Sequence, residues 1–169
     1  MRTSASSVRN AALRDNVEGV IDILRRYPHD KAFFNAVRKQ SATIDGEVDV
    51  EVAAWFIYLN KVAFNGLYRV NQRGHFNVPY GKYKNPTICD EPALRACSEA
   101  LQGRLIQHAS SDVAVAAAKR GDFVYFDPPY LPLSATSAFT SYTADGFGIA
   151  DHRRLRELAL ELVRRAFTC

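Results

Sequence analysis

The stretch "GDFVYFDPPYLPLS", residues 121–134, constrains the fold of this chain more than any other. Phe123 to Phe126 is a run of aromatic and β-branched residues, a composition that suits a short central strand. Asp127 ends the run, and Pro128 and Pro129 forbid its continuation, because neither has an N–H to give to a ladder. The expected result is a stiff turn at the C-terminal edge of a sheet. It would present the Asp127 carboxylate, the Pro128 carbonyl and the Tyr130 ring. In open α/β sheets ligands bind at that edge.

The chain before this turn reads as mostly helical. In "NVEGVIDILRRY" (16–27), Val17, Val20, Ile21 and Leu24 share one helical face, with Asn16 as a cap and Pro28 as a stop. "DKAFFNAVRKQ" (30–40) predicts a second helix with Phe33, Phe34 and Val37 inward. Residues 49–64, "DVEVAAWFIYLNKVAF", are apolar over a helical length, with Gly66 as terminator and Trp55 in the core. "EPALRACSEALQG" (91–103) predicts a helix with Pro92 in its first turn. "RLIQHAS" then predicts a strand, and "SDVAVAAAKRG" a short helix capped by Ser111 or Asp112. After the turn, a Ser/Thr/Gly-rich loop leads to a last helix over 151–166, with Leu155, Leu158, Ala159, Leu162 and Val163 on one face. Strand, helix, strand, loop and helix in the C-terminal half form part of a βαβ pattern.

One segment has no period of either kind. "LYRVNQRGHFNVPYGKYKNP" (67–86) mixes glycines, prolines, asparagines and aromatics. It is too aromatic for disorder, and long irregular segments in compact domains are usually functional. Between Arg69 and Lys84 it holds four Lys or Arg residues and no acid. The whole chain of 169 residues has a net charge of only +4, so this local concentration says more about a polyanionic partner than the total does. No apolar run reaches membrane-spanning length and no secretory leader is evident, which points to a cytoplasmic protein without a membrane partner. The three cysteines (Cys89, Cys97, Cys169) lack metal-like spacing, and His75 and His108 have no ligand partners at useful spacing, so no metal is assigned.

The chemistry open to the turn is specific. An exocyclic aromatic amine is a poor nucleophile because its lone pair is delocalised into the ring. Two acceptors that take hydrogen bonds from both N–H groups draw the nitrogen toward sp³. Asp127 and Pro128 are such acceptors, and Tyr130 is a stacking face. Alignment with an electrophilic methyl supplies most of the remaining catalysis. A base inside a duplex must first be flipped out.

"DPPY" after an apolar strand resembles the catalytic motif of amino-group methyltransferases that use S-adenosylmethionine. Within that group, "NKVAFNGLYRVNQRGHFNVPYGKYKNP" and the loop "PLSATSAFTSYTADGF" resemble the Dam-type DNA adenine methyltransferases of the D12 class, and the similarity covers about residues 10–165. The resemblance implies an α/β fold: a partial Rossmann-like methyltransferase sheet with a helical DNA-recognition domain. It implies methyl transfer to adenine N6 in double-stranded DNA, in GATC-like sites, in bacterial, phage or restriction-modification settings. Asp127, Pro128 and Tyr130 would form the adenine pocket, with Asp127 and Pro128 also bordering S-adenosylmethionine. "FNGLYR" would be a DNA-reading hairpin. In it Phe64 would wedge beside the flipped base, Asn65 would sit near the orphaned thymine, and Leu67 and Arg69 would read bases, arginine being suited to guanine. Pro79 and Tyr83 would be further recognition positions, and Arg73, Lys82 and Lys84 would hold phosphates.

Each residue has a plainer alternative. Phe64 is also placed to end a helix core, and Asn65 before Gly66 to form a helix-end turn. Arg69 is also placed to pair with a helix carboxylate, and Lys82 and Lys84 to form a solvated face. Asn71 and Asn77 read best as loop braces. Family members start with a glycine-bearing loop and an acidic residue for the cofactor, and end with further strands; neither is expected here. Residues 1–15 would be a remnant of the cofactor-binding half, 16–92 the recognition domain and 93–169 the catalytic part. A partner or dimer would complete the sheet, and the alternative function is an inactive DNA-binding remnant.

Overall fold

The computed structural model describes residues 5–40, 49–71, 73, 75–128 and 147–167. The chain divides into two compact units, Met1–His108 and Ala109–Cys169.

The first unit is built around one helix. Ordered along the chain are α1 (Ala5–Asp15), α2 (Val17–Arg26), α3 (Lys31–Gln40), α4 (Val50–Val62) and α5 (Glu91–Leu101). Helix α4 is apolar on nearly every side, and Val52, Ala53, Ala54, Trp55, Phe56, Tyr58, Leu59 and Val62 are all buried. A helix with no polar face must be wrapped by others, and α1, α2 and α3 pack on it. Their buried residues, Ala12, Leu13, Val20, Ile21, Leu24, Phe34 and Val37, join it in one core.

Local signals set the helix ends. The Asn16 side chain accepts from the Gly19 N–H at 3.0 Å, Asp30 from Phe33 at 2.7 Å, Asp49 from Glu51 at 2.9 Å and Asp90 from Ala93 at 3.2 Å. Each satisfies an amide that a helix start leaves open. The Tyr58 hydroxyl donates to the Pro28 carbonyl at 3.0 Å and so ties α4 to the α2–α3 turn. Helix α5 is held to α2 by Arg25–Glu91 and Arg95–Glu18 ion pairs on the surface. It is held to α1 by the Gln102 amide donating to the Arg14 carbonyl at 2.7 Å.

The second unit contains α6 (Ser111–Ala117) and α7 (Ile149–Phe167). Among its described residues, Val115 and Leu158 are buried. Arg154 pairs with Asp112, and the Arg165 guanidinium donates to the Val115 carbonyl at 3.1 Å. The cap of α6 is Ser110, with no side-chain bond, rather than Ser111 or Asp112.

The expected Rossmann-like α/β sheet is not found. Among the described residues there is no strand; the only β pairings are two isolated antiparallel bridges, Ala63 with Tyr80 and Val70 with Phe76. Residues 104–110 and 122–126, expected as strands, form no ladder. Phe123 is 89% exposed and Tyr125 75%, the reverse of a central strand. The physical reason is that β-propensity is a fit to a pleated, half-buried surface, and without a neighbouring strand it has nothing to fit. Asp127 and Pro128 therefore lie in an extended segment that has no strand partner among the described residues, not at a sheet edge.

This arrangement predicts a contrast in stability. Leu59→Ala should cost about 2–5 kcal/mol through an unfilled core site, whereas Phe123→Ala should stay within about 0.5 kcal/mol. Urea titrations followed by circular dichroism read both.

Candidate nucleic-acid interface and the DPPY motif

The segment without sequence periodicity folds as a hairpin rooted on the end of α4. Helix α4 stops at Val62, before Gly66, and a 3-10 turn spans Phe64–Gly66. Asn65 (φ 53°) and Gly66 (φ 62°) both lie in the left-handed region. Asparagine and glycine are the residues that enter it most readily, so the pair turns the chain sharply away from the helix. The chain then runs out and back. The Phe64 N–H donates to the Pro79 carbonyl at 2.9 Å, Asn77 to Arg69 at 3.0 Å and Asn71 to His75 at 2.9 Å. The Asn71 side chain closes the tip by accepting from the Arg73 and His75 amides at 2.9 and 3.0 Å.

Antiparallel pairing gives this hairpin an inner and an outer row. Tyr68, Phe76 and Val78 pack into the helical core, and Val70 is half-buried. Leu67, Arg69 and Pro79 alternate with them and are exposed. Phe64 is 47% exposed and Leu67 52%, so neither belongs to the core. The Arg69 Nε donates to Asn77 Oδ1 at 2.8 Å, which fixes the guanidinium across the hairpin; its partner is an amide rather than a helix carboxylate.

The return arm is held by a close backbone approach. The Gly81 N–H donates to the Val62 carbonyl at 2.8 Å. A Cβ on Gly81 would lie 2.7 Å from that same carbonyl and 2.8 Å from the Tyr83 ring. Beyond it Lys82, Tyr83 and Lys84 are exposed. Among the described residues no ion pair involves Arg69, Arg73, Lys82 or Lys84.

Helix α3 adds two cations to this surface that the sequence reading did not assign. Arg38 and Lys39 line an open cleft of about 500 Å³ with Asn71, His75, Phe76 and Asn77. Arg38 also reaches the Val78 carbonyl at 3.5 Å. More than thirty positions separate α3 from the hairpin tip; the only sequence signal was the basic last turn of α3.

In the second unit, a turn at Lys119–Asp122 leads into the extended segment, with the Asp122 side chain accepting from the Lys119 N–H at 2.8 Å. Val124 and Phe126 line a cavity of about 360 Å³ with Ala159, Leu162 and Val163 of α7. Asp127 is exposed and Pro128 half-buried; Tyr130 and the loop that follows it lie outside the described residues. The open carboxylate beside a carbonyl suits a ligand that offers N–H groups or positive charge. Among the described residues no group of three or more His, Cys, Asp or Glu is placed to hold a metal ion, and no helix is long and apolar enough to cross a membrane.

The model of the D12 class N6 adenine-specific DNA methyltransferase family matches residues 3–167. The chain belongs to that family. A type II methyltransferase of Lactococcus lactis subsp. cremoris is 46% identical over 156 residues, which are 89% of this chain and 55% of that protein. A type II methyltransferase of Methanocaldococcus jannaschii is 44% identical, over 80% of this chain and 47% of its own length. A DNA adenine methylase of Serratia marcescens is 44% identical, over 65% and 40%. The chain thus spans about half the length of the curated relatives it matches. The family resemblance read from "DPPY" and the 60–86 segment is borne out.

For this D12-class chain the hairpin geometry predicts a strict requirement at Gly81. Gly81→Ala should destabilise the first unit by about 1–3 kcal/mol, the usual range for an overpacked site. It should also weaken protection of the Gly81 amide in hydrogen exchange, while α2 amides stay as in the parent.

Proposed function

We propose that this chain carries the target-recognition hairpin and the catalytic motif of an adenine-N6 DNA methyltransferase acting on GATC-like sites. The observation that supports it most is the joint presence, in a D12-class chain, of "DPPY" and an exposed, acid-free hairpin.

The hairpin's outer row offers two kinds of contact. Phe64 and Leu67 are apolar side chains open to solvent, suited to pack against an unstacked base or fill the space it leaves. Arg69, held by Asn77, presents its remaining donors toward a base edge, and guanine O6 and N7 accept such a fork. Asn65, Pro79 and Tyr83 border these groups and extend the reading surface. Arg73, Lys82 and Lys84, with Arg38 and Lys39 at the cleft, suit phosphates, which set register without reading sequence.

At the motif, the Asp127 carboxylate and the Pro128 carbonyl accept hydrogen bonds from the adenine amine, and Tyr130 stacks on its ring. S-adenosylmethionine, the donor that the methyltransferase family implies, supplies an electrophilic methyl on a sulfonium. Asp127 also suits that positive charge. The polarised N6 lone pair forms the new C–N bond as the C–S bond breaks, and one amine proton leaves to solvent. The protein's part is to accept these hydrogen bonds, and no covalent enzyme intermediate is required.

The test is transfer of labelled methyl from S-adenosylmethionine to an unmethylated GATC duplex, run beside duplex binding. Transfer should fall by at least about two orders of magnitude in Asp127→Ala, the scale of losing one acceptor or donor at a reacting centre, with binding kept. Arg69→Ala should cost about 1–3 kcal/mol of discrimination against a changed base pair. Equal binding to GATC and unrelated duplexes by the parent chain would overturn the recognition reading. Binding with no transfer would leave this chain as the inactive DNA-binding remnant.

A further inference from the structure

The hairpin's inner row continues into a line of rings that ends on a cation of α1. The Arg9 guanidinium lies 4.7 Å from the centroid of the Phe56 ring. Phe56 meets Tyr68 at 4.7 Å with planes at 33°, and Tyr68 meets Phe76 at 5.6 Å. Phe76 in turn meets Phe34, over which Arg38 lies at 5.9 Å. Tyr68 sits between Leu67 and Arg69 in sequence, and it is the inward member of that triplet. Whatever fixes its ring therefore fixes the direction in which its two exposed neighbours point.

We infer that Arg9 is a positioning residue for DNA recognition, setting Leu67 and Arg69 through the Phe56–Tyr68 ring contact. The inference rests on the reading of the hairpin as the DNA-binding element. A cation over an aromatic face is attracted by the ring quadrupole, and more strongly where water is excluded. Burial does lower the Arg9 guanidinium from its ordinary pKa, so this charge is partly desolvated. Burial raises the Tyr68 phenol above its ordinary pKa, and the nearby Arg9 charge offsets part of that rise. Arg9 also donates from Nε to Asn10 Oδ1 at 3.0 Å, which holds the guanidinium on the α1 side. A cation kept for general binding would sit among the exposed lysines; this one sits under the hairpin.

Arg9→Met, Arg9→Lys, Tyr68→Leu and the Arg9→Met, Tyr68→Leu double variant decide the matter. Two readouts are used: affinity for a duplex with one GATC site against a duplex of equal length without it, and amide exchange at Asn71, Asn77 and Gly81. Arg9→Met should weaken GATC binding by about three- to tenfold and leave the salt dependence unchanged. Arg9→Lys should restore most of the loss. The double variant should be no weaker than Tyr68→Leu alone, because the two residues act as one unit. Hairpin amides should exchange faster in Arg9→Met while α2 amides do not. A salt slope reduced by about 0.9, the value for one lost phosphate contact, would overturn the inference, as would additive losses or unchanged hairpin exchange. Should Arg9→Met not fold, Arg9→Gln carries the same comparison. If the parent chain binds neither duplex, the DNA reading fails by itself, and the exchange data still decide whether Arg9 sets the hairpin.

Discussion

The burial of α4 is the constraint on which the first unit depends. Its residues leave no polar face, so α1, α2 and α3 must cover it. The same helix then supplies the anchor for the surface that matters. The Val62 carbonyl, one of the groups a helix end leaves open, accepts the Gly81 N–H, and Ala63 pairs with Tyr80. The hairpin is thus an extension of the most buried element in the unit. Its exposed side chains are presented from a backbone bonded to that buried helix.

The hairpin shows how one alternation serves two purposes. Inward aromatics continue the core, while outward Leu67, Arg69 and Pro79 stay free of it. A one-residue slip would exchange the two rows and bury Arg69. The root is held against such a slip at two points: the left-handed pair Asn65–Gly66 and the contact of Gly81 with Val62. Electrostatics follow the same division. The ion pairs of the first unit lie on its helices, at Arg25, Glu91, Arg95, Glu18 and Arg14, whereas the cations of the hairpin have no carboxylate beside them among the described residues. Charge that is not neutralised internally remains available to a polyanion.

The second unit differs in kind. In its segment 123–126, Phe123 and Tyr125 are open to solvent while Val124 and Phe126 line the cavity beside α7. Alternation of this sort is the backbone habit of a strand, yet hydrogen bonds to a neighbour are what make a strand. The residues of "FVYF" therefore have strand composition and no strand. This overturned the sheet expected from propensity, and with it the argument that placed Asp127 at a sheet edge. Membership of the D12 class does not depend on that argument, because it rests on the match over residues 3–167.

The sequence by itself determined helices α2 to α7 and the family, whereas α1 (Ala5–Asp15) was not read from it. The Asn16 cap, the buried faces of α2 and α3, the apolar α4 and the Pro92 start of α5 were all read from local pattern, because a helix closes its hydrogen bonds within a few residues. "DPPY" and "FNGLYR" identified the family because they are contiguous. Tertiary structure decided what depends on distant partners. The inner and outer rows of 67–81, the bond between Arg69 and Asn77, and the Arg38 cleft have no periodic signature. Their partners lie across a hairpin, or on a helix more than thirty positions away. The same physics separates the two failed strands from the successful helices. A helix finds its acceptors four residues back, whereas a strand must be given them by another segment of chain.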